Sequence, residues 1–107
     1  MTKGEKIVVF VTCATRLEAR KIAQRLVEER LAACVNVIAT PLESIYRWKG
    51  KVERDKEFLL VIKTSRARFE ALCETIQKLH SYDMPEVIAL PILVGSREYL
   101  EWIETST

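Results

Sequence analysis

Glycine and proline are scarce in this chain, three of each among 107 residues, and they do not cluster. That excludes linker-rich and low-complexity architectures and leaves one domain of ordinary size. Cysteine is sparse too. Cys13, Cys34 and Cys73 are odd in number, far apart and without a Cys-x-x-Cys pair. They supply neither a disulfide framework nor the four ligands of a closed structural zinc site, and a reducing compartment is the natural setting. No apolar run approaches the roughly 20 residues that cross a bilayer. "IVVFVTCA" follows two lysines, but "TRLEARK" comes next without a small-residue cleavage site, so it reads as a first strand and not a signal peptide. The expectation is a cytosolic protein with no membrane partner.

An excess of one charge is also missing. Lys and Arg number 17 and Asp and Glu 15, for a net charge of +2. A nucleic-acid partner calls for a clustered basic face. "RARFEAL" and "RWKGKVER" are locally basic, yet acidic residues interrupt or follow both, so no nucleic-acid partner is expected. Nor is there a Gly-rich phosphate loop, a Ser-His-Asp order or a paired acid and base. No enzyme is indicated.

What is present reads as a regular succession of elements. "KIVVFVTC" (6–13) is a continuous apolar, β-branched run, the mark of a central or doubly covered strand. Thr15 and Glu18 have capping-box spacing and open a helix whose apolar stripe is Ala19, Ile22, Ala23, Leu26 and Val27. Residues 33–48 are extended and interrupted by Pro41; Lys49-Gly50 turns the chain, and "KVERDKEFLLVIKT" returns. Ser65 caps a second helix with Phe69, Leu72, Cys73, Ile76 and Leu79 inward; Cys34 and Cys73 each lie within an apolar pattern and are expected in the core. "EVIALPILV" is the last main strand, and Gly95-Ser96 introduces a short helix with Tyr99, Leu100 and Ile103 inward.

The order βαββαβ plus a short helix predicts an α+β, ferredoxin-like sandwich: one antiparallel sheet with two helices on one face. One feature exceeds a lone domain of this class. Residues 33–48, if extended, span about 50 Å at roughly 3.3 Å per residue, whereas ordinary strands reach about 20 Å. A hairpin of that length projects past its own helices and carries Ile45, Tyr46, Trp48, Phe58 and Leu60 with it. Such edges pair with other chains, so self-association is expected.

These segments resemble the CutA family of divalent-cation tolerance proteins. The likeness is carried by "TCAT", "ERLAACVNV", "SIYRWKGKVE", "EFLLVIKT", "LH-Y--PEVIALPI" and the closing "YLEWI", in the family's order and over nearly the whole chain, about Ile7 to Ile103. Three positions depart from it. Ser81 stands where the family often has proline, Asp83 where it has glutamate, and Ala14 where it has proline after the cysteine; each loosens a loop. The resemblance implies a compact homotrimer similar in architecture to PII signalling proteins. It also implies tolerance of divalent metals, copper above all, and a metal site at Cys13, His80 and Glu86 near a cleft between subunits.

The residues themselves admit two readings at each place. Cys13, just before the first helix, is either a thiol activated by the helix N-terminus or a small half-buried strand residue. His80, the single histidine, ends the second helix and is either its polar cap or a ligand. Glu86 begins the last strand, held by Lys63 or another base, or it faces a metal. Trp48, Lys63 and Tyr82 are the candidate lining of the cleft, with Tyr46 beside them or packed in an interface. A thiolate, an imidazole and a carboxylate suit copper or zinc far better than magnesium or calcium. Three ligands also leave one position open. The expected function is therefore a cytosolic, homotrimeric, copper-type metal-binding protein. The alternative is a PII-like signalling or scaffold trimer holding a small anionic ligand or a protein partner, in which Lys63, Arg47 and the first helix N-terminus matter more.

Overall fold

The computed structural model describes residues 4–107. Strand β1 (Lys6–Cys13) forms where the β-branched run predicts it and lies inside the sheet, antiparallel to β4 (Lys51–Ser65) on one side and to β5 (Val87–Pro91) on the other. Strand β2 (Cys34–Val37) pairs with the far edge of β4, so the order is β2-β4-β1-β5. Every neighbouring pair runs antiparallel, as the ferredoxin-like arrangement requires. Pro91 sits at the end of the edge strand β5, where the missing N–H costs no ladder bond.

Period-two alternation along β1 divides its faces. Ile7, Val9, Val11 and Cys13 are buried and pack with Ala19, Ile22 and Leu26 of α1 (Arg16–Glu28) and with Leu72 and Ile76 of α2 (Phe69–Leu79). Leu60 and Ile62 of β4 complete this core. Each fully buried Leu or Ile contributes about 1.5–3 kcal/mol relative to exposure, so this helix-covered layer supplies most of the domain's cohesion. The helix α3 (Arg97–Ser106) buries Ile103 and is tied back by an ion pair from Lys6 to Glu104 and by a hydrogen bond from Arg30 to the carbonyl of Thr105, 2.7 Å.

The long extended stretch is not one strand. It divides into β2 and β3 (Leu42–Trp48), and both halves lie against the 15-residue β4. The inner half of β4 belongs to the main sheet. Its outer half pairs only with β3 and forms an arm whose residues from Lys51 to Lys56 are all exposed. The arm accounts for a molecule 49 Å long and only 25 Å across. Its tip is the Lys49-Gly50 turn, with φ of 50° and 80°, the two left-handed residues of a type I′ hairpin turn.

Four details differ from the sequence reading. Val27 and Tyr99 are exposed, because each stripe extends one position beyond the surface its helix covers. Ser65 does not cap α2: a single 3-10 turn (Arg66–Arg68) intervenes, and the Ser65 hydroxyl hydrogen-bonds Thr107 instead, 2.6 Å. Cys34 and Cys73 are half-buried and not core, whereas Cys13 is fully buried. The last strand ends at Pro91, leaving Leu93 and Val94 almost wholly exposed.

Candidate functional site: a buried thiol, imidazole and carboxylate beside an acidic cleft

The end of β1 and the end of α2 meet at one point. Thr15 caps α1 by accepting the Glu18 N–H, 3.1 Å. That places Glu18 in the first turn, immediately beyond Cys13. The Glu18 carboxylate is turned towards the end of α2, where Oε1 accepts the Ser81 N–H at 3.1 Å and stands 3.2 Å from His80 Nδ1.

His80 is the cap residue of α2 that the sequence suggests, its N–H bonded to the Ile76 carbonyl at 2.8 Å. Its ring, however, is completely buried, which a cap does not need. Nε2 lies 2.7 Å from the Thr12 carbonyl oxygen and Nδ1 lies 3.1 Å from the Tyr82 nitrogen. A carbonyl only accepts and an amide N–H only donates, so the ring proton belongs on Nε2 and the Nδ1 lone pair faces Tyr82 and Glu18.

The ligand atoms of Cys13, Glu18 and His80 all lie within 4.8 Å of one another, the one such group of three among the described residues. Its donors are sulfur, oxygen and nitrogen, a set for a borderline or soft transition ion. The bond from Nε2 to a backbone carbonyl is the kind that orients a metal-ligating imidazole. The arrangement therefore fits a small transition-metal ion, which the Cys13 sulfur, a Glu18 oxygen and a His80 ring nitrogen would hold.

The free thiol is not activated. Burial first, and then the charges of Glu18 and Glu57, push the Cys13 pKa up from 9.0 to about 12. The helix N-terminus that argued for an easily formed thiolate is outweighed by desolvation and two carboxylates. A transition-metal cation held against the sulfur would reverse that balance, because a coordinating thiol is deprotonated and releases its proton to solvent.

The third ligand expected from the sequence stands elsewhere. Glu86 lines a separate open cleft of about 640 Å³, next to this group and not within it. The cleft is walled by β3 from Ser44 to Trp48, by Asp55 and Glu57 of β4, and by the segment from Tyr82 to Glu86. Trp48 and Tyr82 line it as expected; Lys63 does not, and its ammonium is hydrogen-bonded to Asn36. Tyr82 joins the two places. Its N–H serves His80, its ring lies 4.7 Å from the imidazole, and its hydroxyl donates to Glu57 at 2.9 Å. Glu18 went unnoticed in sequence because capping-box spacing already explained it; its position five residues after Cys13 was the available signal.

The CutA1 divalent ion tolerance protein family model matches residues 7–106. The chain belongs to this family. It is 51% identical to the divalent-cation tolerance protein CutA of Thermus thermophilus, with 94% of this chain and 96% of the relative covered. It is 52% identical to the chloroplastic CutA of Arabidopsis thaliana over 94% of this chain, and spans only 55% of that longer relative. The crystal structure of CutA1 from Oryza sativa superposes with a TM-score of 0.94 at 46% identity, covering 100% of this chain and 97% of that one. The Oryza sativa CutA1 structure therefore has the same overall chain fold. Among the described residues, no helix is long and apolar enough to cross a membrane.

Proposed function

We propose that this CutA1-family chain is a cytoplasmic homotrimer that binds a divalent transition metal, of copper type, in tolerance of such ions. One observation carries the reading: the convergence of Cys13, Glu18 and His80 within 4.8 Å. It joins the family's divalent-cation association to a donor set of the right chemistry. The role is binding, not catalysis. When bound, the ion supplies a positive charge against Glu18 and the Cys13 sulfur. The chain itself fixes the imidazole through the Thr12 carbonyl and screens the group from water.

Trimer formation is supported by surfaces that one chain leaves uncovered. Ile88 and Leu90 on the edge strand β5 are each 52% exposed, and Ile45, Trp48 and Val52 on the arm are also exposed. Association buries both the apolar side chains and the free strand edges. Native mass spectrometry of the full chain tests both halves of the proposal. The expected species is three chains with up to three metal ions after exposure to copper. A monomer that retains none contradicts it.

The PII-like signalling reading, with a small anionic ligand, has less support. Lys63 is engaged by Asn36, and the charged groups lining the cleft are four carboxylates against the single guanidinium of Arg47, which disfavours an anion.

A further inference from the structure

The His80 side chain is held at one end by its backbone at the close of α2 and at the other by the Thr12 carbonyl, 2.7 Å from Nε2. A ring pinned only at those two ends can still turn about the line between them. Tyr82 stops that turn twice over. Its N–H lies 3.1 Å from Nδ1, and its ring packs on the imidazole with centroids 4.7 Å apart and planes tilted by 48°. The lone pair of a neutral imidazole lies in the plane of the ring, so rotation decides whether a nitrogen or a π face meets Glu18. Both restraints on that rotation come from one residue.

Tyr82 depends in turn on its own hydroxyl. From the end of α2 at Leu79 to the start of β5 at Val87 the chain forms neither helix nor strand, so side-chain bonds hold it. Glu18 accepts the Ser81 N–H, Gln77 donates to the Asp83 carbonyl at 2.8 Å, and the Tyr82 hydroxyl donates to Glu57 at 2.9 Å. The first ties the segment to α1 and the second to α2. Only the third, among the described residues, ties it to the sheet, at β4. Glu57 is 8% exposed within a single chain, so this anchor does not wait for a neighbouring subunit. A bond to a carboxylate is also stronger than one between neutral groups.

We propose that Tyr82 is the positioning residue of the Cys13, Glu18 and His80 group, its hydroxyl fastened to Glu57 so that its backbone and ring keep the imidazole turned towards Glu18. Tyr82 supplies no ligand atom to that group and acts through His80. The purpose of the clamp rests on the metal-binding reading above, but the clamp itself is built into the chain without an ion. Outer contacts that orient a ligating imidazole are worth about 10–100-fold in metal affinity.

Two measurements on the full-length protein in its native oligomer test this. Hydrogen exchange at the residue-82 amide, without metal, reads the clamp. Tyr82→Phe keeps the ring and loses the hydroxyl, and Glu57→Leu removes the same bond from the other side without leaving a carboxylate unpaired. Each should speed exchange at residue 82 by roughly tenfold to a hundredfold, with the amides of β1 unchanged. Glu57→Gln keeps an acceptor for the hydroxyl and should exchange as wild type does. Copper titration of the same four proteins reads the purpose: affinity should fall by about 10–100-fold in Tyr82→Phe and Glu57→Leu and stay close to wild type in Glu57→Gln. Wild-type exchange in both Tyr82→Phe and Glu57→Leu overturns the proposal, and so does acceleration that spreads through β1, the mark of general loosening. Unchanged copper affinity beside faster exchange overturns it too, as does a Glu57→Gln that behaves like Tyr82→Phe, which assigns the effect to charge. Wild type that takes up no copper while exchange behaves as expected is a failure of the metal reading and not of the clamp.

Discussion

His80 Nε2 lies 2.7 Å from the carbonyl oxygen of Thr12, a bond that joins the end of the second helix to the end of the first strand, 68 residues earlier. Its consequence is directional: with the proton committed to Nε2, Nδ1 is the nitrogen presented to Glu18. The same bond makes His80 part of the fold. His80→Ala strips both the Thr12 carbonyl and the Tyr82 N–H of their partners in a buried place. It should cost about 2–4 kcal/mol, read as a lowered urea midpoint with an unaltered slope. A loss under half a kilocalorie would mean that water replaces the ring.

Cys13 should be the slowest of the three thiols to react. It is fully buried with its pKa raised to about 12, whereas Cys34 and Cys73 are half-exposed. Alkylation near pH 8 should modify Cys34 and Cys73 first, followed by peptide mass analysis. Early labelling of Cys13 would show that the site opens in solution.

The same shift sets a pH dependence. The thiol titrates near 9.0 when unfolded and near 12 when folded, so over that interval the native state holds a proton that the unfolded chain has released. Stability contributed by Cys13 is complete below pH 9 and declines as pH rises through the window. Tyr46 and Tyr82 act in the same direction. The share due to the thiol is therefore the difference in slope between wild type and Cys13→Ala. Equal slopes would place the thiol in a far more polar setting than the structure shows.

Gly50 adopts a φ of 80° at the tip of the arm. A side chain there is strained although nothing crowds it, at a cost of about 1–2 kcal/mol. Gly50→Ala should lower the melting temperature without altering the buried site. If Gly50→Ala melted as wild type does, the turn would have another form.

Much of the fold is legible in the sequence, because local physics and tertiary structure agree there. The β-branched run of β1, the Thr15 cap and the Lys49-Gly50 turn each carry their own signal. The division of residues 33–48 is less visible. Pro41 marks the break, but nothing local says that both pieces lie against a single strand of 15 residues. Helix stripes identify inward positions yet not how far cover extends, hence the misjudged Val27 and Tyr99. In the site, Cys13 and His80 are recognisable by residue type. Glu18 is not, because its decisive contact is with a backbone 63 residues away and its local pattern is that of a cap. Glu86 follows His80 closely in sequence but belongs to the neighbouring cleft, since the segment after Tyr82 turns along the arm.

Copper titration of wild type beside four single variants tests the central claim most directly. Cys13→Ser and Glu18→Gln should each weaken binding strongly, with a double variant losing less than the sum of its parts, as ligands of one ion act together. Glu86→Gln should bind copper as wild type does, and Lys63→Gln likewise. Affinity should also fall as pH drops from about 7.5 to 5.5, because protons compete for the ligands. Full affinity in Glu18→Gln together with its loss in Glu86→Gln would contradict the account and move the metal out of the buried group into the open cleft.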